Sequence, residues 1–298
     1  MPLLVSLLVA APAAADVAVV VPKASEPHEY FTRQLRINDF SLERYQTASC
    51  SEAPDCHGLV WIHPYFLQQG ANAVSLDYWA NTLDSTPGAE YEIVFRFQGG
   101  AKPKLGPTLA TLKTPKFGKL DEDHKQNLRG SVTVTDKLPA WTWTRGVKIE
   151  NTPANRASLY VEYTRVWTAL AKGDRAKLHA ELRTSTKEYL EASRLAKQTD
   201  GLDRMIALAN NPRDKNKTPL HLRDMPELDG LTMQLFAGGR LAKLVNYYAI
   251  MIRFQGGAHD APSGHAGPVD IGYDLWFRKD ARGRWVVDAV APADDHND

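Results

Sequence analysis

Short β-favouring runs dominate the first half of the chain, from about residue 17 to residue 147. Runs such as "GLVWIHPYF", "AVSLDYWA", "EYEIVFRFQ" and "GSVTVTD" are separated by Pro, Gly, Asn and Asp, with almost no helical periodicity between them. Short strands divided by turn residues are typical of a β-sandwich. We therefore predict a β-sandwich domain over residues 16–148.

The last of these runs, "AWTWTRGVKI", alternates tryptophan with threonine. In a strand this alternation puts Trp141 and Trp143 on one face and the threonines on the other. Paired indoles can stack on sugar rings, but they pack more often into a core, and we favour the core.

The pattern changes to helix at Asn151. In "NTPANRASLYVEYTRVWTALAKGD", Thr152 is a candidate N-cap, Pro153 takes the first helical position and Gly173 follows the last turn. Apolar residues recur between them at helical spacing. The sequence thus predicts an amphipathic helix that opens a second domain over residues 150–298.

Two further helical stretches follow, one from Asp174 to about Lys197 and one capped by Asp200 that ends near Ala209. The chain then returns to strands in "LTMQLFA", "RLAKLVNYYAIMIRFQ", "VDIGYDLWFRKD" and "RWVVDAVAP". Helices followed by an antiparallel meander predict an α+β domain in which one sheet face packs on the helices.

This element order, together with the closing "LWFRKDxxGRWVV" hairpin, resembles the nuclear transport factor two-like superfamily, also called the ketosteroid-isomerase-like or cystatin-like cone fold. The resemblance covers about residues 153–292 and implies a cone-shaped α+β domain. The superfamily contains enzymes and non-catalytic binders, so the resemblance leaves the function open. No family motif aligns well enough to carry over a catalytic position.

The N-terminus, "MPLLVSLLVAAPAAAD", has an apolar run followed by small residues, which is typical of a signal peptide over residues 1–15. A buried strand or a membrane anchor is the alternative, although the run is shorter than a bilayer span. We expect a periplasmic or secreted protein without stable membrane insertion. In such a compartment Cys50 and Cys56, the only two cysteines, are predicted to form a disulfide bond.

Charge and motifs exclude several classes of function. The 36 basic and 35 acidic residues nearly cancel, so we expect no nucleic-acid partner. No Gly-x-Ser-x-Gly elbow and no phosphate-binding glycine loop appears, and we expect no cofactor. A zinc site that adds His57 and His63 to the cysteines has the wrong spacing.

Two strands supply the candidate binding residues. "YEIVFRFQGGA" and "YAIMIRFQGGA" agree at eight of eleven positions, which pairs Arg96 and Gln98 with Arg253 and Gln255. We interpret the repeat as convergent strand ends closed by a turn or bulge at the glycines; the alternative is two polar patches for one partner.

In "VDIGYDLWFRKD", Asp274 and Trp276 share a charged face with Asp270 and Arg278. We expect the opposite, apolar face to pack on the helices and the charged face to meet solvent or a cleft.

The loop "HDAPSGHAGPVD" offers His259, Asp260 and His265 as weak metal ligands, but an ordinary solvated connection is the favoured interpretation. With no assembled catalytic set, we expect an exported, non-enzymatic binding protein for an unknown protein or small molecule, such as an immunity protein or envelope adaptor. An enzyme with a pocket in the cone-like domain is the alternative.

Overall fold

The structure is a computed structural model. It describes residues 16–21, 31–41, 58–80, 90–96, 105–113, 125–135, 137–195, 200–214, 217, 219–246, 251–258 and 268–293.

In the described residues of the first half, eight strands form two antiparallel four-stranded sheets, in the orders β4-β1-β6-β7 and β3-β2-β5-β8. The strands are β1 Asp16–Val21, β2 Phe31–Ile37, β3 Phe40–Ser41, β4 Gly58–Ile62, β5 Gly70–Ala80, β6 Glu90–Arg96, β7 Leu105–Lys113 and β8 Lys125–Val134. The strand character predicted for this half is confirmed in the described residues.

The strand predicted for the "AWTWTR" segment is wrong. Thr142–Arg145 form one short 3₁₀ turn instead of a strand. The indole N–H of Trp141 donates to the carbonyl of Leu67 and that of Trp143 to the carbonyl of Tyr65, each at 2.9 Å. Both indoles are buried, as predicted, but these long-range hydrogen bonds fix a turn that local alternation does not reveal.

Four α-helices lie in the described part of the chain: α1 Pro153–Lys172, α2 Arg175–Ser185, α3 Lys187–Leu195 and α4 Gly201–Asn210. The predicted caps of α1 are confirmed, because Thr152 accepts a hydrogen bond from the backbone of Asn155 and Gly173 is left-handed at φ 90°. The predicted second helical stretch is divided at Thr186, whose hydroxyl donates to the carbonyl of Leu182 at 2.8 Å.

Where the structure describes the second half, it adds six strands in one antiparallel sheet: β9 Leu220–Leu222, β10 Thr232–Phe236, β11 Leu241–Val245, β12 Ile252–Ala258, β13 Pro268–Lys279 and β14 Trp285–Ala293. β13 is central. Its one edge pairs with β12 and β11 in succession, and its other edge pairs with β14. The predicted order of helices followed by antiparallel strands is confirmed, but the strands do not form a simple meander, because β11 pairs with β13 and β12 pairs with β9.

Two hydrophobic cores meet the two faces of this sheet. The helix-side core joins the odd-numbered face of β13 to the helices, as predicted, and includes Leu159, Tyr163, Val166, Leu202, Met205, Tyr273, Leu275, Phe277 and Val290. The shared core joins the other face to the first half and includes Ile37, Phe40, Tyr65, Phe66, Trp141, Trp143, Tyr189, Phe236, Trp276 and Ala289.

Phe40 shows how closely the two halves meet. Its ring stacks on Phe66 of the first half at 4.1 Å and on Phe236 of the second at 5.3 Å between centroids. The backbone N–H of Ala237 also donates to the carbonyl of Asn38 at 2.9 Å. The face of β13 that we expected to meet solvent or a cleft is therefore largely covered by the first half.

The architecture is mixed α+β with antiparallel sheets, which confirms the coarse fold class. Within the described residues, no helix has the length and apolar character that a membrane span requires.

Candidate functional site

A buried carboxylate, Asp288, lies at a bulge in β14. Trp276 pairs with Ala289 and Phe277 pairs with Val287, so Asp288 is the extra residue with no partner on β13. A bulge re-aims the side chain it carries, and bulges are over-represented beside functional sites. Asp288 is only 4% exposed, so its carboxylate requires hydrogen-bond partners.

Tyr65 and Arg278 supply those partners. The Tyr65 hydroxyl donates to one carboxylate oxygen, and Nε of Arg278 donates to the other at 2.6 Å. Burial raises the pKa of Asp288 above its ordinary value, while the hydrogen bond from Tyr65 and the charge of Arg278 oppose that rise. Burial and the nearby Asp288 also raise the pKa of Tyr65, so its hydroxyl stays protonated and remains a donor.

Tyr65 is held in place by the turn that carries it. Residues Pro64–Phe66 form a 3₁₀ turn that begins at His63, whose Nδ1 accepts a hydrogen bond from the backbone N–H of Tyr65 at 3.2 Å. The indole of Trp143 fixes the carbonyl of the same residue. Hydrogen bonds to its backbone N–H and its backbone carbonyl thus hold Tyr65 in the position from which its hydroxyl contacts Asp288.

A second carboxylate lies nearby on α3. Glu188 accepts hydrogen bonds from the backbone N–H and the hydroxyl of Thr142, each at 2.5 Å. Its charge raises the pKa of Asp288 further. Each carboxylate therefore joins the second half to the segment before α1.

Thr142, Glu188, Arg278 and Asp288 are among the residues that line a cleft of about 1210 Å³. One wall is a face of α1 with the C-terminal part of α2, and the other is the β13–β14 hairpin. The lining residues include Thr142, Ser158, Val161, Glu162, Arg165, Glu181, Thr184, Lys187, Glu188, Arg278, Lys279, Arg284, Trp285, Val286, Val287 and Asp288. Acidic and basic side chains nearly balance along it, so the cleft does not favour a polyanion.

Most of the charged groups in the cleft are already paired. Arg165 bridges Glu162 and Glu181, each at 2.8 Å, and Lys279 donates to Asn155 at 2.6 Å. The ammonium of Lys279 also lies 4.8 Å from the ring centroid of Trp285. The walls are therefore preorganised by contacts within the chain.

His63 and Ser193 form a buried pair outside the cleft, but the hydrogen bond between them runs in the wrong direction for the histidine to activate the serine as a nucleophile. Nε2 of His63 lies 3.1 Å from Oγ of Ser193. Because Nδ1 accepts from a backbone N–H, the ring proton is on Nε2 and His63 donates to the serine. Burial lowers the pKa of His63 to about 3, and the Ser193 hydroxyl donates to the carbonyl of Tyr189. The pair holds α3 to the turn at Tyr65.

The repeated phrase is divided between two sheets. Arg96 ends β6 in register with Asp16 and Leu105, whereas Gln98 lies outside the described residues. Arg253 forms a two-pronged ion pair with Asp270 across β12 and β13. The register between β12 and β13 shifts between Gln255 and Ala258. The glycine pair of the second phrase, Gly256 and Gly257, therefore lies at an irregular stretch, as expected for a bulge.

Trp276 belongs to the shared core, and neither Trp276 nor Asp274 lines the cleft. Asp274 accepts a hydrogen bond from Lys243 at 2.8 Å, and Trp276 is 5% exposed. The ammonium of Lys243 lies 5.2 Å from the indole centroid. Arg253 pairs with Gly272 and Gln255 with Asp270, so both lie on the same face of the sheet as Asp274.

Several expectations fall outside the described residues. These are the signal peptide over residues 1–15, the Cys50–Cys56 bond, and the candidate ligands His259, Asp260 and His265. Among the described residues, no group of three or more His, Cys, Asp or Glu side chains is arranged to bind a metal ion.

Sequence reasoning missed Asp288, Tyr65 and Glu188. The one local signal for Asp288 is a charged residue inside the apolar run "WVVDAVAP". Its partner Tyr65 lies in "HPYF", which the pattern assigned to a strand, and nothing local links the two. Comparison with known proteins adds no assignment: no family model, no curated protein and no solved structure matches the chain.

Proposed function

We propose that the chain is an exported, non-enzymatic binding protein that holds a partner in the cleft between α1, α2 and the β13–β14 hairpin. The supporting observation is that the cleft is broad while its ionisable groups are engaged: Asp288 by Tyr65 and Arg278, and Glu188 by Thr142. A general acid or base needs a proton site within reach of substrate. Carboxylates held on both oxygens fit a supporting role better.

The proposal includes the finer architecture. We assign the two four-stranded sheets to a β-sandwich domain, because an added Cβ on Gly130 in β8 would lie 3.2 Å from Leu112 in β7, a sheet-to-sheet approach. We assign residues 150–298 to a cone-like domain of the nuclear transport factor two-like type, since its helices pack on one face of an antiparallel sheet. The export assignment rests on the N-terminal sequence alone.

Site-directed photo-crosslinking in an envelope extract tests this function. A benzophenone side chain at Thr184, which is exposed in the cleft, should capture a partner. The same group at Lys172, which is exposed at the end of α1 outside the cleft, is the matched control. An adduct at position 184 alone supports the proposal, and equal yields at both positions or none at either argue against it.

An enzyme is the second candidate, and the observation that favours it is a buried carboxylate with a raised pKa at a cleft. A screen with nitrophenyl esters, phosphates and glycosides examines it. Turnover of one substrate by the wild-type chain and its loss in Asp288→Asn, with Glu181→Gln retaining activity, would replace the binding proposal with a catalytic one.

A further inference from the structure

One guanidinium group in the cleft is held at one end and open at the other. Nε of Arg278 donates to Asp288 at 2.6 Å, and the side chain of Arg278 is only 18% exposed. Its two terminal nitrogens make no hydrogen bond to any other described residue. Among the described residues, the buried side-chain nitrogens that lack a partner belong to Arg156 and Trp276. The terminal nitrogens of Arg278, a residue that lines the cleft, are therefore accessible from it.

This open end matches the shape of a carboxylate. A guanidinium group is planar, and its terminal nitrogens can donate two parallel hydrogen bonds to the two oxygens of one carboxylate. Asp288 fixes the orientation of Arg278, because the carboxylate of Asp288 is itself held by Tyr65. A donor that is already ordered loses little conformational freedom when a ligand binds, and this favours affinity.

Lys187 adds a second cation whose donors are unused. It is the first residue of α3, is exposed and lines the same cleft. Within the part of the chain that the structure describes, its ammonium group takes part in no hydrogen bond or ion pair. A carboxylate bound at Arg278 would gain further attraction from this ammonium group.

The nearby carboxylates of the chain are already engaged. Asp288 accepts from Tyr65 and Arg278, and both oxygens of Glu188 accept from Thr142. The free hydrogen-bonding capacity beside them therefore lies on donors of cationic side chains. Because acidic and basic groups balance here, a single negative charge suits this part of the cleft better than a polyanion.

An apolar side chain lies next to the open guanidinium group. Val286 is directly opposite Arg278 in the β13–β14 ladder, so the two side chains share a face with ~5 Å between their Cβ atoms. Both residues line the cleft. A carboxylate held by Arg278 would thus place its adjoining carbon atoms beside Val286.

We propose that the cleft binds a monocarboxylate, held by the terminal nitrogens of Arg278 and the ammonium group of Lys187, with an apolar body beside Val286. Free small molecules and the carboxyl terminus of a polypeptide present this same chemistry, and the test separates the two sources. This inference rests on the proposed binding function and names the chemical class of its ligand.

The probes are hexanoate and phenylacetate, each compared with its primary amide, and the peptide acetyl-Gly-Leu-Val as free acid and as C-terminal amide. Titrations of the full chain, followed by ligand-observed NMR, should show that at least one acid binds and that its amide binds at least tenfold more weakly. Binding of a small acid alone identifies a small-molecule ligand. Preference for the peptide acid identifies a chain terminus.

Three variants locate the bound acid. Arg278→Lys keeps a positive charge beside Asp288 but removes the paired terminal nitrogens, so affinity for the acid should fall at least tenfold. Lys187→Gln changes an exposed residue and should weaken binding at least threefold at an unchanged melting temperature. Lys177→Gln, exposed on α2 outside the cleft, is the matched control and should leave affinity unchanged.

Failure of every acid to bind, equal binding of an acid and its amide, or wild-type affinity in Lys187→Gln would overturn this inference. Because position 187 is exposed, that variant gives a result even if Arg278→Lys does not fold. The crosslink at position 184 is read independently, so capture of a partner there without binding of any acid would leave the binding proposal standing.

Discussion

The hydroxyl group of Tyr65 donates a hydrogen bond to the carboxylate of Asp288 across 223 positions of the chain. Tyr65 lies in a short turn of the first half, and Asp288 lies at a bulge in the last strand. This bond, with the Arg278 contact beside it, connects two residues that line the cleft, Asp288 and Arg278, to Tyr65 in the shared core. It is one of several polar connections between the two halves, with those of Glu188 to Thr142 and His63 to Ser193.

Removing the Tyr65 hydroxyl should make stability more dependent on pH. The raised pKa of Asp288 means that its contribution to stability is present below the unfolded-state pKa and is lost as pH rises through the folded-state pKa. Tyr65→Phe removes a donor to the ionised form, so the pKa of Asp288 should rise further. We expect a loss of ~1–3 kcal/mol, larger at pH 7 than at pH 4.

Tyr163→Phe is the matched control, because Tyr163 is also buried and its hydroxyl donates to the carbonyl of Leu275 at 2.8 Å. Its cost in the free energy of unfolding should be similar at both pH values. Denaturant titrations of both variants at pH 4 and pH 7 measure these free energies of unfolding. An equal pH dependence in the two variants would show that Asp288 does not respond to Tyr65.

Gly201→Ala should destabilise the chain. An added Cβ would lie 2.6 Å from the carbonyl oxygen of Val290 and 3.2 Å from Cα of Ala291, and neither backbone atom can move aside cheaply. Overpacking of this kind costs ~1–3 kcal/mol. Gly230→Ala is the control, since its nearest contact is a side-chain nitrogen of Asn246 at 3.4 Å. Thermal melts that rank the two variants equally would contradict the close approach of α4 to β14.

The repeated phrase should contribute to stability more than to binding. Arg253 and Asp270 are partly exposed, and such ion pairs contribute ~0.2–1 kcal/mol. A double-mutant cycle with Arg253→Ala and Asp270→Ala should return a coupling energy in that range. If instead Arg96→Ala with Gln98→Ala and Arg253→Ala with Gln255→Ala weaken partner binding equally at unchanged melting temperature, the phrase is one binding device used twice.

Residues 150–298 expressed alone should fold cooperatively but melt below the full chain. Among the described residues, every member of the helix-side core lies at or after Ile149, so the fragment keeps almost all of that core. It loses the cover that the first half provides for Tyr189, Phe236 and Trp276. Calorimetry of the fragment and the full chain makes the comparison. Absence of a cooperative transition in the fragment would place the domain boundary elsewhere than residues 145–155.

The sequence by itself determined those features of the protein that depend on residues close together in the chain. Thr152, Pro153 and Gly173 fix the ends of α1 through its own backbone, so its bounds could be predicted. The alternation of Tyr273, Leu275 and Phe277 likewise identified the face of β13 that packs on the helices, because side-chain direction in a strand follows from the sequence position alone.

Only the tertiary structure decided the features that depend on distant partners. "AWTWTR" has a strand pattern, yet hydrogen bonds from its indoles to the carbonyls of Tyr65 and Leu67 hold it in a turn. The charged face of β13 is covered because the first half packs against Trp276. Asp288 became a candidate site residue through a bulge, burial and a partner 223 positions away. A one-dimensional pattern encodes which face a side chain takes, but the fold alone sets what meets it there.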